Sequence, residues 1–124
     1  MMSQESAEAQ PTSSAMALSA LDRRQLAQQT LGDRKLEHEL LRLFRRQART
    51  MLFRLDTTTH PAGRSEIAHT LKGAAKAIGA DRVAAAAEQV ETQAREGRPV
   101  GVAPLVEEIA AAMVEIDAML AEAA

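Results

Sequence analysis

The chain has 124 residues, 46% of them apolar, and a formal net charge of −2. Cysteine, tyrosine and tryptophan are absent, and Phe44 and Phe53 are the only aromatic residues. Disulfides, cysteine-ligated zinc and thiol catalysis are thereby excluded, and a negative charge balance gives no global attraction to nucleic acid. The length suits a single domain. Its apolar content is mostly Ala, Leu, Val, Ile and Met, which favour helices over strands, so the expectation is an all-α protein. No apolar run approaches the roughly 20 residues of a bilayer span, and the N-terminus lacks the basic and apolar regions of a signal peptide. A cytoplasmic protein without membrane attachment is expected.

Residues 1–18 are small, polar and aperiodic, and read as a disordered tail before a domain at 19–124. Ser19 followed by Asp22 resembles a capping box, which opens a short helix at about 20–30. Gly32 closes that helix, and Asp33 caps the next. The second helix runs to about Asp56. Leu36, Leu40, Leu43, Phe44, Met51, Leu52 and Leu55 form its apolar stripe, and Arg42, Arg45, Arg46, Arg49 and Arg54 its other face. The run Thr57 to Pro61 breaks the pattern.

A third helix spans about 62–78, with Ile67, Leu71, Ala74, Ala75 and Ile78 facing inward. Gly79 stops it. Asp81 caps a fourth helix at about 82–96, in which Val83, Ala87, Val90 and Ala94 point inward. Gly97, Pro99 and Gly101 mark a loop, and Pro104 suits the first turn of a last helix. Leu105, Ile109, Met113, Ile116 and Leu120 give that helix its stripe. Four long helices with short links, behind a short leading one, predict an antiparallel up-down four-helix bundle with an extra N-terminal helix.

The third helix carries an anomaly. At about 100° per residue, His69 lies about 200° from Ile67 and points to solvent. Lys72, Gly73 and Lys76, at i+3, i+4 and i+7, share its face. A mid-helix glycine costs about 1 kcal/mol relative to alanine. Gly73 either clears space above the imidazole for a closely docking partner or is a tolerated glycine at a helix contact. Lys72 and Lys76 would favour a neutral, nucleophilic imidazole and then an anion attached to it; equally, they fit an ordinary solvated face. Metal binding is disfavoured. His38 and His60 sit on other elements, and the Glu66–His69 pair has no second Glu-x-x-His to match it.

The run from Ala68 to Ala80 resembles the signature of the histidine-containing phosphotransfer (HPt) family. That signature is His-x-Leu-Lys-Gly, two small residues, and a glycine closing the helix six residues after the first glycine. His69, Leu71, Lys72, Gly73, Ala74, Ala75 and Gly79 fall in place. Leu21-Asp22, Gly32-Asp33, Phe44 and Ala87-Glu88 extend the likeness over about Leu21 to Leu120.

The resemblance implies a phosphocarrier rather than an enzyme. His69 would take a phosphoryl group at Nε2 from one receiver-domain aspartate and pass it to another. Lys72 would stabilise the phosphoryl oxygens, and Gly73 would leave room for the partner's aspartate. Glu91, at the position where the family often offers Gln or Glu, would bind the other ring nitrogen. A carboxylate on Nδ1–H fixes the tautomer and frees Nε2 to attack; alternatively, Glu91 is a surface residue pairing with Arg95. Lys76 departs from the family, where a small or uncharged residue is commoner, and Arg95 is a further candidate one turn beyond Glu91.

The implied partners are response-regulator receiver domains and a hybrid sensor histidine kinase, docking on a face of the second and third helices with unclaimed apolar residues such as Leu41. A monomer is expected. No cofactor is implied, Mg²⁺ being supplied by the receiver; the chain has neither a GxxxxGK[ST] loop nor a kinase glycine-rich loop. The competing function is an HPt-like adaptor that binds a kinase or receiver without carrying phosphate. Nucleic-acid binding through the arginine face is disfavoured by the negative charge and the scarcity of stacking aromatics.

Overall fold

The computed structural model describes residues 19–122, which form five helices and no strand. They are α1 (Arg23–Thr30), α2 (Arg34–Thr57), α3 (Pro61–Ala77), α4 (Asp81–Arg95) and α5 (Ala103–Glu122). The proposed tail at 1–18 lies outside the described residues. α2 to α5 make the bundle, each packing on its neighbour in sequence, and α5 closes against α2. The links require reversal of direction. A 24-residue α2 is about 36 Å long, whereas the segment 58–60 that follows spans at most about 11 Å. α2 and α3, and likewise α3 and α4 across the three-residue link 78–80, are therefore antiparallel.

The leading segment plugs one end of the bundle. Ala20, Leu21 and Leu26 are buried. The carboxylate of Glu115 on α5 accepts hydrogen bonds from Ser19 Oγ and from the backbone N–H groups of Ala20 and Leu21. Asp22 N–H donates to the carbonyl of Gly79 at 2.8 Å, which ties α1 to the α3–α4 link. Gly79 has φ +76°, and a Cβ there would stand 2.6 Å from the Asp22 carbonyl oxygen. Only glycine meets both demands.

The boundaries of α2 to α5 follow the expectations to within a residue or two, whereas α1 begins at Arg23, three residues later than expected, and its left-handed C-cap is Leu31 (φ 54°) rather than Gly32; two N-caps also differ. Asp22, not Ser19, caps α1, accepting from Gln25 N–H at 3.1 Å; Ser19 Oγ turns instead to the Leu21 carbonyl and Glu115. Asp81 is the first residue of α4 rather than its cap, and the capping position is Ala80, with no side-chain bond. Asp33 caps α2 as expected, through Leu36 N–H.

The core also corrects the inner stripe of α2. Leu41, Phe44, Ala48 and Leu55 are buried, while Leu36 and Leu43 are exposed. Leu41, expected to be free for a partner, is fully buried. The 3-4 spacing of 41, 44, 48 and 55 is as regular as that of the expected set, and a leucine-rich helix offers two overlapping stripes. In α5, Ala112 and Met119 are buried where Met113 and Leu120 were expected, and those two are half-buried. Ala74 of α3 is likewise half-buried, with Ala68 taking its place in the core.

α3 and α4 pack most intimately. Alanines are prominent among the buried residues of these two helices: Ala68 and Ala75 on one, Ala84, Ala87 and Ala94 on the other. Small side chains let two helix axes approach closely. That approach brings side chains from α4 within reach of α3.

Candidate functional site

His69 stands on the outer face of α3, its side chain 67% exposed. Across the seam on α4 lies Glu91, its side chain only 6% exposed. It continues the buried stripe Val83, Ala87, Val90, Ala94, so the chain places a carboxylate at the border of its core. An unpaired carboxylate there would be costly. Three cationic or hydrogen-bonding partners offset that cost.

His69 Nδ1 lies 3.0 Å from Glu91 Oε2. A carboxylate only accepts, so the ring proton is assigned to Nδ1, and Nε2 keeps its lone pair on the solvent side. Lys72, one turn along α3, places Nζ 3.0 Å from Glu91 Oε1 and 3.6 Å from Glu88 Oε1. Arg95 Nη2, at i+4 on α4, donates to Oε2 at 2.6 Å. Burial pushes the Glu91 carboxyl up, but the hydrogen bonds and charges of Lys72 and His69 together outweigh it and hold the group below the ordinary carboxylate range. The hydrogen bond from Lys72 to Glu91 raises the Lys72 ammonium above its usual value, against a smaller opposing contribution from burial.

The structure thus brings together His69, Lys72, Glu91 and Arg95. Glu91 makes both of the contacts that were weighed for it, to His69 and to Arg95, but it is buried rather than the surface residue of the second alternative. Lys72 is not a free cation on a solvated face: its side chain is 17% exposed and it is engaged by two carboxylates. An ammonium has three N–H donors, so two engagements leave one. Gly73 is exposed, and a Cβ built there meets nothing within 4 Å. Lys76 is exposed one turn further on and takes no part in the carboxylate cluster.

Sequence reasoning missed Glu88 as a partner of Lys72. Its signal was available: Glu88 and Glu91 are i, i+3 neighbours on one helix face. It also missed an open groove of about 680 Å³ between the N-terminal half of α3 and the C-terminal end of α4, lined in part by His60, Pro61, Ala62, His69 and Arg95. Among the described residues, no group of three or more His, Asp or Glu is placed to hold a metal ion, and no helix is long and apolar enough to cross a membrane.

Neither curated proteins nor solved structures give a match to the chain. The family model described as the Hpt domain matches residues 39–124. That stretch begins inside α2 and covers α3, α4 and the whole His69 cluster, leaving α1 outside. Most of the chain, with the imidazole and its carboxylate partner included, is therefore accounted for by one family: the chain belongs to the Hpt domain family, whose members act as phosphocarriers in phosphorelays.

Proposed function

We propose that this chain carries a phosphoryl group on His69 Nε2 between receiver-domain aspartates. The observation that supports the reading is the exposed imidazole whose Nδ1 is held 3.0 Å from a buried carboxylate while Nε2 is left open. In the acceptance step the Nε2 lone pair attacks phosphorus, the acyl O–P bond of the aspartyl phosphate breaks, and the aspartate leaves as a carboxylate. The ring gains positive charge, and its Nδ1 proton stays hydrogen-bonded to Glu91. Donation runs the same step in reverse on a second receiver.

Such transfers need positioning and charge stabilisation more than covalent help. Glu91 fixes the ring's orientation and tautomer. The remaining N–H of Lys72 reaches for a phosphoryl oxygen, Gly73 leaves its turn of helix bare for the incoming aspartate, and Arg95 steadies Glu91. Lys76 lends positive charge further along the face. Mg²⁺, where the transfer uses it, belongs to the receiver.

The test is phosphoryl acceptance from receiver domains of the same genome, each pre-charged with acetyl phosphate, by wild type and His69→Gln. Wild type should acquire an acid-labile, alkali-stable phosphate and the variant none, with helicity and Tm unchanged, since an exposed ring contributes little to the core. An unmodified wild-type chain would leave the adaptor function in its place.

A further inference from the structure

Lys72 stands between two carboxylates, and only one of them belongs to the core. Glu91 is buried and binds the ammonium at 3.0 Å. Glu88 lies 3.6 Å away, with its side chain 65% exposed. That separation is beyond hydrogen-bond reach but close enough for charge attraction. Among the described residues, the Glu88 carboxylate has no ion pair or hydrogen bond other than this one. The fold asks nothing of it, since an exposed position on α4 accepts any polar side chain.

The seam sets these groups in order. α3 and α4 run antiparallel, so His69 is opposite Glu91 and Lys72, one turn on, is opposite Glu88. Three residues of helix advance about 4.5 Å. Glu88 therefore lies on the side of Lys72 away from His69. It draws the ammonium along the seam away from the imidazole, whereas a phosphoryl group on Nε2 would draw it back. The phosphoryl would carry about −1.5 to −2 against the single negative charge of Glu88. Glu91 is buried and cannot give up its partner without leaving a charge unpaired. Glu88 can turn into water, so its pair with Lys72 is the one that breaks.

We infer that Glu88 is a positioning residue that holds Lys72 back from His69 and thereby favours release of the phosphoryl group. The inference rests on the phosphocarrier reading. The bonds that form and break are those of the transfer step already written, and only the balance between its two sides changes. The lost attraction between Lys72 and Glu88 is added to the free energy of the phosphorylated chain alone. His69 then takes the group less firmly and yields it more readily to the next aspartate.

Exposed ion pairs bias an equilibrium by at most about fivefold. The Lys72 side chain is only 17% exposed, which puts this pair in the upper part of that range, and a bias of about threefold is expected. The measurement is the partition of phosphoryl between this chain and a receiver domain, at concentrations where the complex is sparse. It is approached from both directions, with the receiver charged by acetyl phosphate or His69 charged by phosphoramidate, a small donor that needs no docking surface. Docking contacts change the rates but cancel from an equilibrium between free species. Glu88→Gln should keep about threefold more phosphoryl on His69 than wild type, by the same factor with any receiver and with Tm unchanged. In a Lys72→Ala background the same substitution should shift nothing. Equal partition in wild type and Glu88→Gln overturns the inference. So does a shift that persists without Lys72, which marks direct repulsion by Glu88, or a change of rate without a change of partition, which marks a docking contact. A wild-type chain that takes no phosphate even from phosphoramidate refutes the phosphocarrier reading itself. One that is charged, yet partitions as Glu88→Gln does, refutes only the role of Glu88.

Discussion

Gly73→Ala separates what the fold wants from what the function needs. The glycine sits in the interior of a 17-residue helix, has no positive φ, and leaves open space where a Cβ would go. Nothing in the isolated chain requires it. Alanine is better than glycine in a helix interior by about 1 kcal/mol, and an added methyl that touches nothing costs nothing. For a domain of this size, 1 kcal/mol raises Tm by about 4–6 °C. Thermal unfolding followed by far-UV circular dichroism should show that rise. Transfer from a phosphorylated receiver should meanwhile slow, and slow further in Gly73→Gln, whose side chain projects over the imidazole. Acceptance from phosphoramidate should be little altered in Gly73→Ala. A variant that is more stable and fully competent with receivers would show that Gly73 is a tolerated glycine with no docking role. A variant that is less stable would show that the space above the turn is not open.

Gly79→Ala should behave oppositely, losing about 1–2 kcal/mol from the left-handed backbone alone and more from the contact with Asp22, seen as a lowered Tm. Lys72→Ala should reduce the rate of transfer at saturating receiver and phosphoramidate acceptance alike; unchanged rates in both assays would remove the ammonium from the mechanism. Glu91 has a depressed carboxyl, so its contribution to stability is present above its unfolded value near 4.5 and is lost as pH falls through the lower folded value. Urea melts from pH 7 downward should therefore show an acid loss in wild type below about pH 4.5 that is smaller in Glu91→Gln; identical pH profiles would contradict the pairing.

The sequence carried the helix count, the order of the elements and the identity of the exposed histidine, because these depend on local periodicity and on glycine, proline and aspartate punctuation. Placing His69 outward needed only Ile67 and a 100° rotation. It could not carry the register of α2. There the leucines at 36, 40, 41 and 43 admit two stripes, and which one is buried depends on how α3 and α5 flank the helix. Nor could it carry the depth of Glu91. The spacing from Val83, Ala87 and Val90 places position 91 at the edge of the buried face, but a carboxylate at an edge is ordinarily solvated. Burial became tolerable only because three partners from two helices converge on it. That convergence is tertiary, and it rests on the alanine seam.

The cluster's charge says what kind of holder it is. Lys72 and Arg95 contribute two positive charges, and Glu88 and Glu91 two negative. The sum is zero before any phosphoryl group arrives. A phosphoryl group on His69 would bring about −1.5 to −2 at neutral pH; Lys72 and Arg95 are shared with carboxylates, which leaves one N–H of Lys72 and the exposed Lys76 to answer it. A site built to retain phosphate would place uncommitted guanidinium groups around it. Here Lys72 and Arg95 hold Glu91 and Glu91 holds the ring, so that on the proposed function a phosphoryl on Nε2 would stand exposed. Stabilising the phosphorylated state strongly would deepen a well from which the next aspartate must extract the group. An arrangement that commits its charges to orienting the imidazole, and few to the cargo, fits the role proposed above, in which the phosphoryl is passed on.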